Sequence, residues 1–118
     1  RIIIIMGAGG DRDASKRELM GQAAAENADV VFVTDDNPRN ESPSLIRDAV
    51  MRGCPNATEI DDRAKAILMG VDALQAGDAL LIAGKGHEMG QIIGDDIFAF
   101  NDVEQASISV ATLDELSL

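Results

Sequence analysis

Three stretches of the chain are short and continuously apolar: Ile2–Met6, Val30–Val33 and Ala79–Ala83. Their length and β-branched content predict strands buried on both faces of a sheet. Between them the apolar positions change to a spacing of three and four. Leu19, Met20, Ala23 and Ala24 predict a helix from about Ser15 to Asn27, with Ser15 as cap and Glu18 three residues on as its capping-box partner. Leu45, Ile46, Ala49 and Val50 predict a second helix, capped by Ser42, started by Pro43 and closed by Gly53. Ala64, Ile67, Leu68, Val71 and Leu74 predict a third, capped by Asp61 or Asp62 and ended at Gly77.

The weaker signals lie elsewhere. Ala57–Ile60 reads as a short strand, and Phe98 and Phe100 alternate as a strand would. The stretch from Gly84 to about Asp96 reads as a polar, glycine-containing loop, and a final helix is expected from Val103. Strands alternating with helices predict a parallel α/β sheet covered on both faces, with residues 1–118 forming one domain.

Composition narrows the function. Ten basic against twenty-one acidic residues give a net charge of −11, which repels nucleic acid, and no basic stripe with interleaved aromatics compensates. The core must be aliphatic, since three Phe are the only aromatics. Cys54 is the single cysteine, so no internal disulfide forms and a reducing cytoplasm is the expected setting. No apolar run approaches the length that crosses a membrane. A metal site is not expected, because one Cys and one His offer no ligand spacing. The chain enters a strand directly at Arg1, without an initiator Met, and is read as a piece of a longer protein.

In an open α/β sheet, ligands sit where loops leave the carboxyl ends of the strands. Three such loops carry chemistry: Gly7–Asp13, Asp35–Arg39 and Gly84–Glu88. The first is no dinucleotide fingerprint, because Arg12 stands where the third glycine belongs. The third is no P-loop, because Ala79 replaces the leading glycine and Gly86 the Ser or Thr. Taken singly, these glycines need only serve tight turns, and Asp36 and Asn37 need only form an Asx-turn. Arg12 and Arg39 together, however, would make a forked carboxylate clamp, and Asn37 beside Pro38 would supply amide contacts. Glu88 would accept an ammonium group, so the set suits an amino acid. His87 is assigned a loop-shaping role for want of a neighbouring nucleophile, and Lys85 is open to a phosphate or carboxylate.

Gly9-Gly10-Asp11-Arg12-Asp13 with Lys16-Arg17, then Asp36-Asn37-Pro38-Arg39, then Gly84-Lys85-Gly86-His87-Glu88 with Gln91, resemble the Mur ligase family in order and spacing over nearly the whole chain. The Asp-Asn-Pro-Arg tetrapeptide is the specific part of the match. Within that family the resemblance is to the branch that adds meso-2,6-diaminopimelate to the UDP-MurNAc-dipeptide UDP-N-acetylmuramoyl-L-alanyl-D-glutamate.

The resemblance implies a Rossmann-like three-layer domain with a mostly parallel sheet, the C-terminal, amino-acid-binding one of three. The UDP-sugar and ATP domains would lie outside this chain. Diaminopimelate contacts carry over onto Arg12, Asp36, Asn37, Pro38, Arg39, Gly84 and Glu88, all of which are present. Asp13 and Lys16 are placed on the side of ATP and magnesium. The implied reaction is ATP-driven amide formation through an acyl phosphate, with ATP and Mg2+ held by the rest of the enzyme and no catalytic residue in this chain. A cytoplasmic monomer, inactive as an isolated domain, is expected. Two other readings stay open on the residues: a stand-alone small-molecule-binding module, and a related ligase of the same fold that recycles peptides or extends folate tails.

Overall fold

The computed structural model describes residues 1–85 and 88–116. Strands β1 (Ile2–Met6), β2 (Val30–Val33), β3 (Thr58–Glu59) and β4 (Ala79–Ile82) form one parallel sheet in the order β3-β2-β1-β4. Helices α1 (Arg17–Asn27), α2 (Pro43–Met51) and α3 (Arg63–Asp72) connect them, and α4 (Asp102–Leu116) ends the described chain. Met6, Val31, Val33, Ala24, Ile46 and Val50 make the core on the α1–α2 face. Ile3, Ile5, Phe32, Ala66 and Ile67 make it on the other face, with Ala106 of α4 packed against them. This is the three-layer, mostly parallel α/β arrangement expected, and its order places a topological reversal at β1, between β2 and β4.

Several local expectations are corrected. No capping box forms at α1. The Asp13 carboxylate accepts from both the Ser15 backbone N–H (3.0 Å) and the Ser15 hydroxyl (2.6 Å), so the Ser15 side chain is already committed and the helix starts through a 3-10 turn over Ala14–Lys16. The Ser42 side chain does not cap α2 either. It pairs with the Ser44 hydroxyl, and Pro43 alone fulfils its expected place in the first turn. Asp62 does cap α3, accepting from the N–H groups of Ala64 and Lys65.

The buried helical faces are rotated from the expected stripes. α1 buries Arg17, Gly21 and Ala24, leaving Leu19 61% exposed. The reason is close approach: a Cβ on Gly21 would collide with the Val50 carbonyl, so α1 lies tightly on α2. Gly53 has no positive φ and serves the same contact, facing the Glu18 carbonyl of α1. Leu45 of α2 and Leu68 of α3 are likewise exposed, while Gly70 seats α3 on Ile5. β1 and β4 are therefore not covered on both sides throughout. Ile2, Ile4 and Leu81 line an open apolar groove of about 460 Å³ beside α1.

The stretch read as a polar loop contains β5 (Gly90–Ile93), which pairs antiparallel with β6 (Asp96–Ala99). Ile93 and Asp96 face each other across a two-residue turn, with Gly94 at φ 60°, where a II′ turn takes glycine.

Arg63 ties the layers together. Its side chain is fully buried and donates to Asp102 at 2.8 and 2.7 Å, to the Asp35 carbonyl at 3.1 Å and to the Ala83 carbonyl at 3.1 Å. Replacing Asp102 with alanine leaves this buried guanidinium without its counter-charge. The expected loss is about 3–5 kcal/mol, to be read as a lowered urea midpoint of unfolding. A midpoint within error of the parent would refute the clamp.

Candidate functional site

The carboxyl ends of β1, β2 and β4 deliver the three loops to one rim of the sheet. Gly9, Arg12, Asp36, Asn37, Arg39, Gly84 and Glu88 line a cavity of about 240 Å³ there. Six of the seven residues named for diaminopimelate thus share one cavity. Pro38 is not in its lining; it is buried and forms backing for the first loop. The apolar groove beside α1 is larger but has no convergent polar groups, so chemistry rather than volume selects the rim site.

Backbone contacts bring the first two loops together. The Gly10 N–H donates to the Asn37 carbonyl (2.7 Å), and a Cβ at Gly10 would collide with the Pro38 carbonyl, which is why no side chain fits there. Arg17, which composition and spacing gave no role, fastens the same loop. Its guanidinium donates to the Gly9 carbonyl (3.0 Å) and to both oxygens of Glu41 (2.9 Å each), and Glu41 also accepts from the Asp11 N–H.

The second loop is held by the unexpected hairpin. The Arg39 N–H donates to the Ile92 carbonyl (3.1 Å) and the Gly94 N–H to the Arg39 carbonyl (2.6 Å), with Arg39 at φ 51°. A left-handed arginine is costly unless its surroundings enforce it, and here both backbone polar groups are engaged. The Arg39 side chain then points back across the rim, donating to the Gly10 carbonyl (2.9 Å) and the Asn37 carbonyl (3.4 Å). Gln91 donates to the Asp36 carbonyl at 2.7 Å.

The Asn37 amide is turned inward. Its Oδ1 accepts from the Lys85 ammonium (2.9 Å) and the Ile92 N–H (2.9 Å), and its Nδ2 faces Glu88 Oε2 at 3.4 Å. Lys85, read as open to a phosphate or carboxylate, is instead buried beneath the cavity. Gly84 takes φ 112°, a conformation that favours glycine, and a Cβ there would also displace the Asp36 carboxylate. His87 and Gly86 lie outside the described residues.

Electrostatically the rim departs from the acidic whole. Arg12, Arg39 and Lys85 gather with Asp36 and Glu88, one more cation than anions. Arg12 is exposed and makes no side-chain hydrogen bond to the described residues. Its guanidinium and the outer part of that of Arg39 are therefore available to a carboxylate, while Glu88, exposed at the opposite loop, is available to an ammonium group. Asp13 and Lys16 are exposed and do not line the cavity; hydrogen bonds from Ser15 hold the Asp13 carboxyl below its ordinary pKa. Among the described residues no cluster of His, Cys, Asp or Glu could hold a metal ion, and no helix is long and apolar enough to cross a membrane.

Comparison with known proteins gives a consistent result. The family model described as "Mur ligase, glutamate ligase domain" matches residues 1–86. A UDP-N-acetylmuramoyl-L-alanyl-D-glutamate--2,6-diaminopimelate ligase of Bradyrhizobium diazoefficiens is 54% identical over 112 residues, covering 95% of this chain and 23% of the relative. The Brucella melitensis protein of the same name is 51% identical over 116 residues, covering 98% and 24%. A solved structure of a ligase of that name superposes with a TM-score of 0.91 at 39% identity, covering 97% of this chain and 24% of the other. The chain spans about a quarter of the length of the curated relatives it matches.

The Arg17–Glu41 pair predicts a pH dependence. Hydrogen bonds from Arg17, then from the Asp11 N–H, hold the Glu41 carboxyl below its ordinary value in the folded protein. A depressed folded pKa contributes stability above the unfolded value of about 4.3 and loses it as pH falls through the folded one. Glu41→Gln is expected to flatten the acid limb of stability against pH, seen in urea midpoints taken from neutral pH down to about pH 3. Parallel curves for variant and parent would rule the pair out as an acid-sensitive fastening.

Proposed function

The chain belongs to the Mur ligase family, and from that premise we propose that it is the C-terminal, amino-acid-binding domain of an ATP-dependent ligase. The full enzyme would join meso-2,6-diaminopimelate to UDP-N-acetylmuramoyl-L-alanyl-D-glutamate in the cytoplasm, in peptidoglycan precursor synthesis. The observation that carries this reading is the shared cavity of Arg12, Arg39 and Glu88 at one rim of the sheet. The names of the relatives support the choice of substrate.

Neither glycine loop has the pattern of a dinucleotide fingerprint or a P-loop. In this reading ATP and Mg2+ belong to the other domains, with Asp13 and Lys16 as the nearest part of this chain. The domain contributes orientation. Holding the far end of the diamino acid fixes where its reacting amine lies, and such placement accounts for several kcal/mol of a bimolecular barrier.

Specificity follows from charge. Diaminopimelate is lysine with one more carboxylate at the far end, which Arg39 and Arg12 would receive while Glu88 holds the neighbouring ammonium. A buried charge left without its partner costs on the order of 2–5 kcal/mol. Arg39 keeps two backbone carbonyls as partners when no ligand carboxylate is present, so the lower end applies. About 2 kcal/mol corresponds to roughly a thirtyfold preference.

In the full-length enzyme, Arg39→Gln is expected to lower kcat/KM for diaminopimelate by about thirtyfold or more, with little change for lysine, in a phosphate-release assay. Turnover with lysine and none with diaminopimelate by the parent enzyme would sink the substrate assignment. The isolated chain, supplied with all three substrates, is expected to release no phosphate.

A further inference from the structure

Of the three lysines, Lys16 and Lys65 are exposed and Lys85 alone is buried, with a fully enclosed side chain. An ammonium taken out of water is strongly destabilising unless its N–H groups find acceptors and its charge an opposite charge. Lys85 finds both. Nζ donates to Asn37 Oδ1 (2.9 Å) and to the Gly90 carbonyl (2.5 Å), and Asp36 Oδ1 lies 3.6 Å away. Those partners come from the loop after β2 and the first residue of β5, while Lys85 itself follows β4. One buried charge therefore joins three segments, and the Asn37 amide that it contacts bridges the same three.

The consequence reaches the ligand cavity through Asn37. An amide has one acceptor oxygen and one donor nitrogen, and its orientation is decided by what faces each end. Because Lys85 and the Ile92 N–H both donate to Oδ1, the Nδ2 group must face the other way, toward Glu88 Oε2. Glu88 has no other described side-chain partner, and its own N–H is anchored to the Lys85 carbonyl at 3.0 Å. Lys85 does not line the cavity, so it acts only through these neighbours.

We propose that Lys85 is a positioning residue for diamino-acid recognition: its ammonium orients the Asn37 amide, which in turn aims the Glu88 carboxylate at the ligand's distal ammonium group. This rests on the diaminopimelate reading above. It assigns Lys85 to affinity for the amino acid and to no step of phosphate transfer.

The test is steady-state kinetics on the full-length ligase with Lys85→Met, which keeps the apolar stem and removes the charge, and with Lys85→Gln, which keeps an N–H donor. The expected result for Lys85→Met is a rise of tenfold or more in KM for diaminopimelate. kcat and the KM values for ATP and the UDP-linked dipeptide should change less than threefold, and Lys85→Gln should fall between Met and parent. In a Glu88→Gln background, Lys85→Met should add less than threefold to the same KM, because the carboxylate it aims is gone. Equal rises in all three KM values, or a full multiplicative effect in the Glu88→Gln background, would reduce Lys85 to a general stabilising role and overturn the inference. Should Lys85→Met fail to accumulate, Lys85→Gln alone and combined with Glu88→Gln decides by the same criteria. Failure of the underlying reading looks different: the parent enzyme would not use diaminopimelate, or Glu88→Gln by itself would leave its KM unchanged.

Discussion

The loops that follow the carboxyl ends of these parallel strands carry backbone carbonyls that no neighbouring strand pairs. In this protein, buried cations satisfy them. Arg63 donates to the carbonyls of Asp35 and Ala83, just past β2 and β4, and Arg17 donates to that of Gly9, past β1. Lys85 does the same for Gly90 at the start of the hairpin. Each cation is itself neutralised nearby, Arg63 by Asp102, Arg17 by Glu41 and Lys85 by Asp36. Charge-assisted bonds of this kind are stronger than neutral ones and tolerate little displacement. The loops that form the cavity are therefore fixed from beneath.

This arrangement divides the basic residues by task. Those buried under the rim hold backbone, while Arg12 and the outer part of Arg39 face the cavity. A chain with a net charge of −11 thereby presents a small cationic excess at one place. Low-dielectric walls and prior hydrogen bonding of the loops make that local field count for more than the diffuse negative charge around it. The Arg47 bridge to Asp35 and Glu59 extends the same principle to the β3 edge, where burial raises the Asp35 carboxyl above its ordinary pKa even though Arg47 donates to it at 2.6 Å.

Much of the fold was legible in the chain. The three apolar runs became β1, β2 and β4, the helical spacings became α1, α2 and α3, and the three loaded loops met at one rim because parallel strands put their carboxyl ends together. The departures have separate causes. Leu19, Leu45 and Leu68 were expected inside on periodicity, but Gly21, Gly53 and Gly70 let helix backbones approach closely and rotated the faces. The strand expected around Phe98 became β6, whereas its partner β5 went unread because it is only four residues long and begins with Gly90 and Gln91, giving no alternation to detect.

By itself the sequence determined the sheet type, the order of most elements and most of the residues that line the rim cavity, since these follow from local periodicity and from chemistry at strand ends. Only the tertiary structure decided which polar residues are buried and what they hold. Arg17 and Arg63 look like ordinary surface charges in the chain and Lys85 like a candidate ligand contact, but what they hold depends on side chains 24, 39 and 48 residues away. Those partners become fixed only when strands distant in sequence lie side by side, a long-range packing outcome that no local pattern encodes.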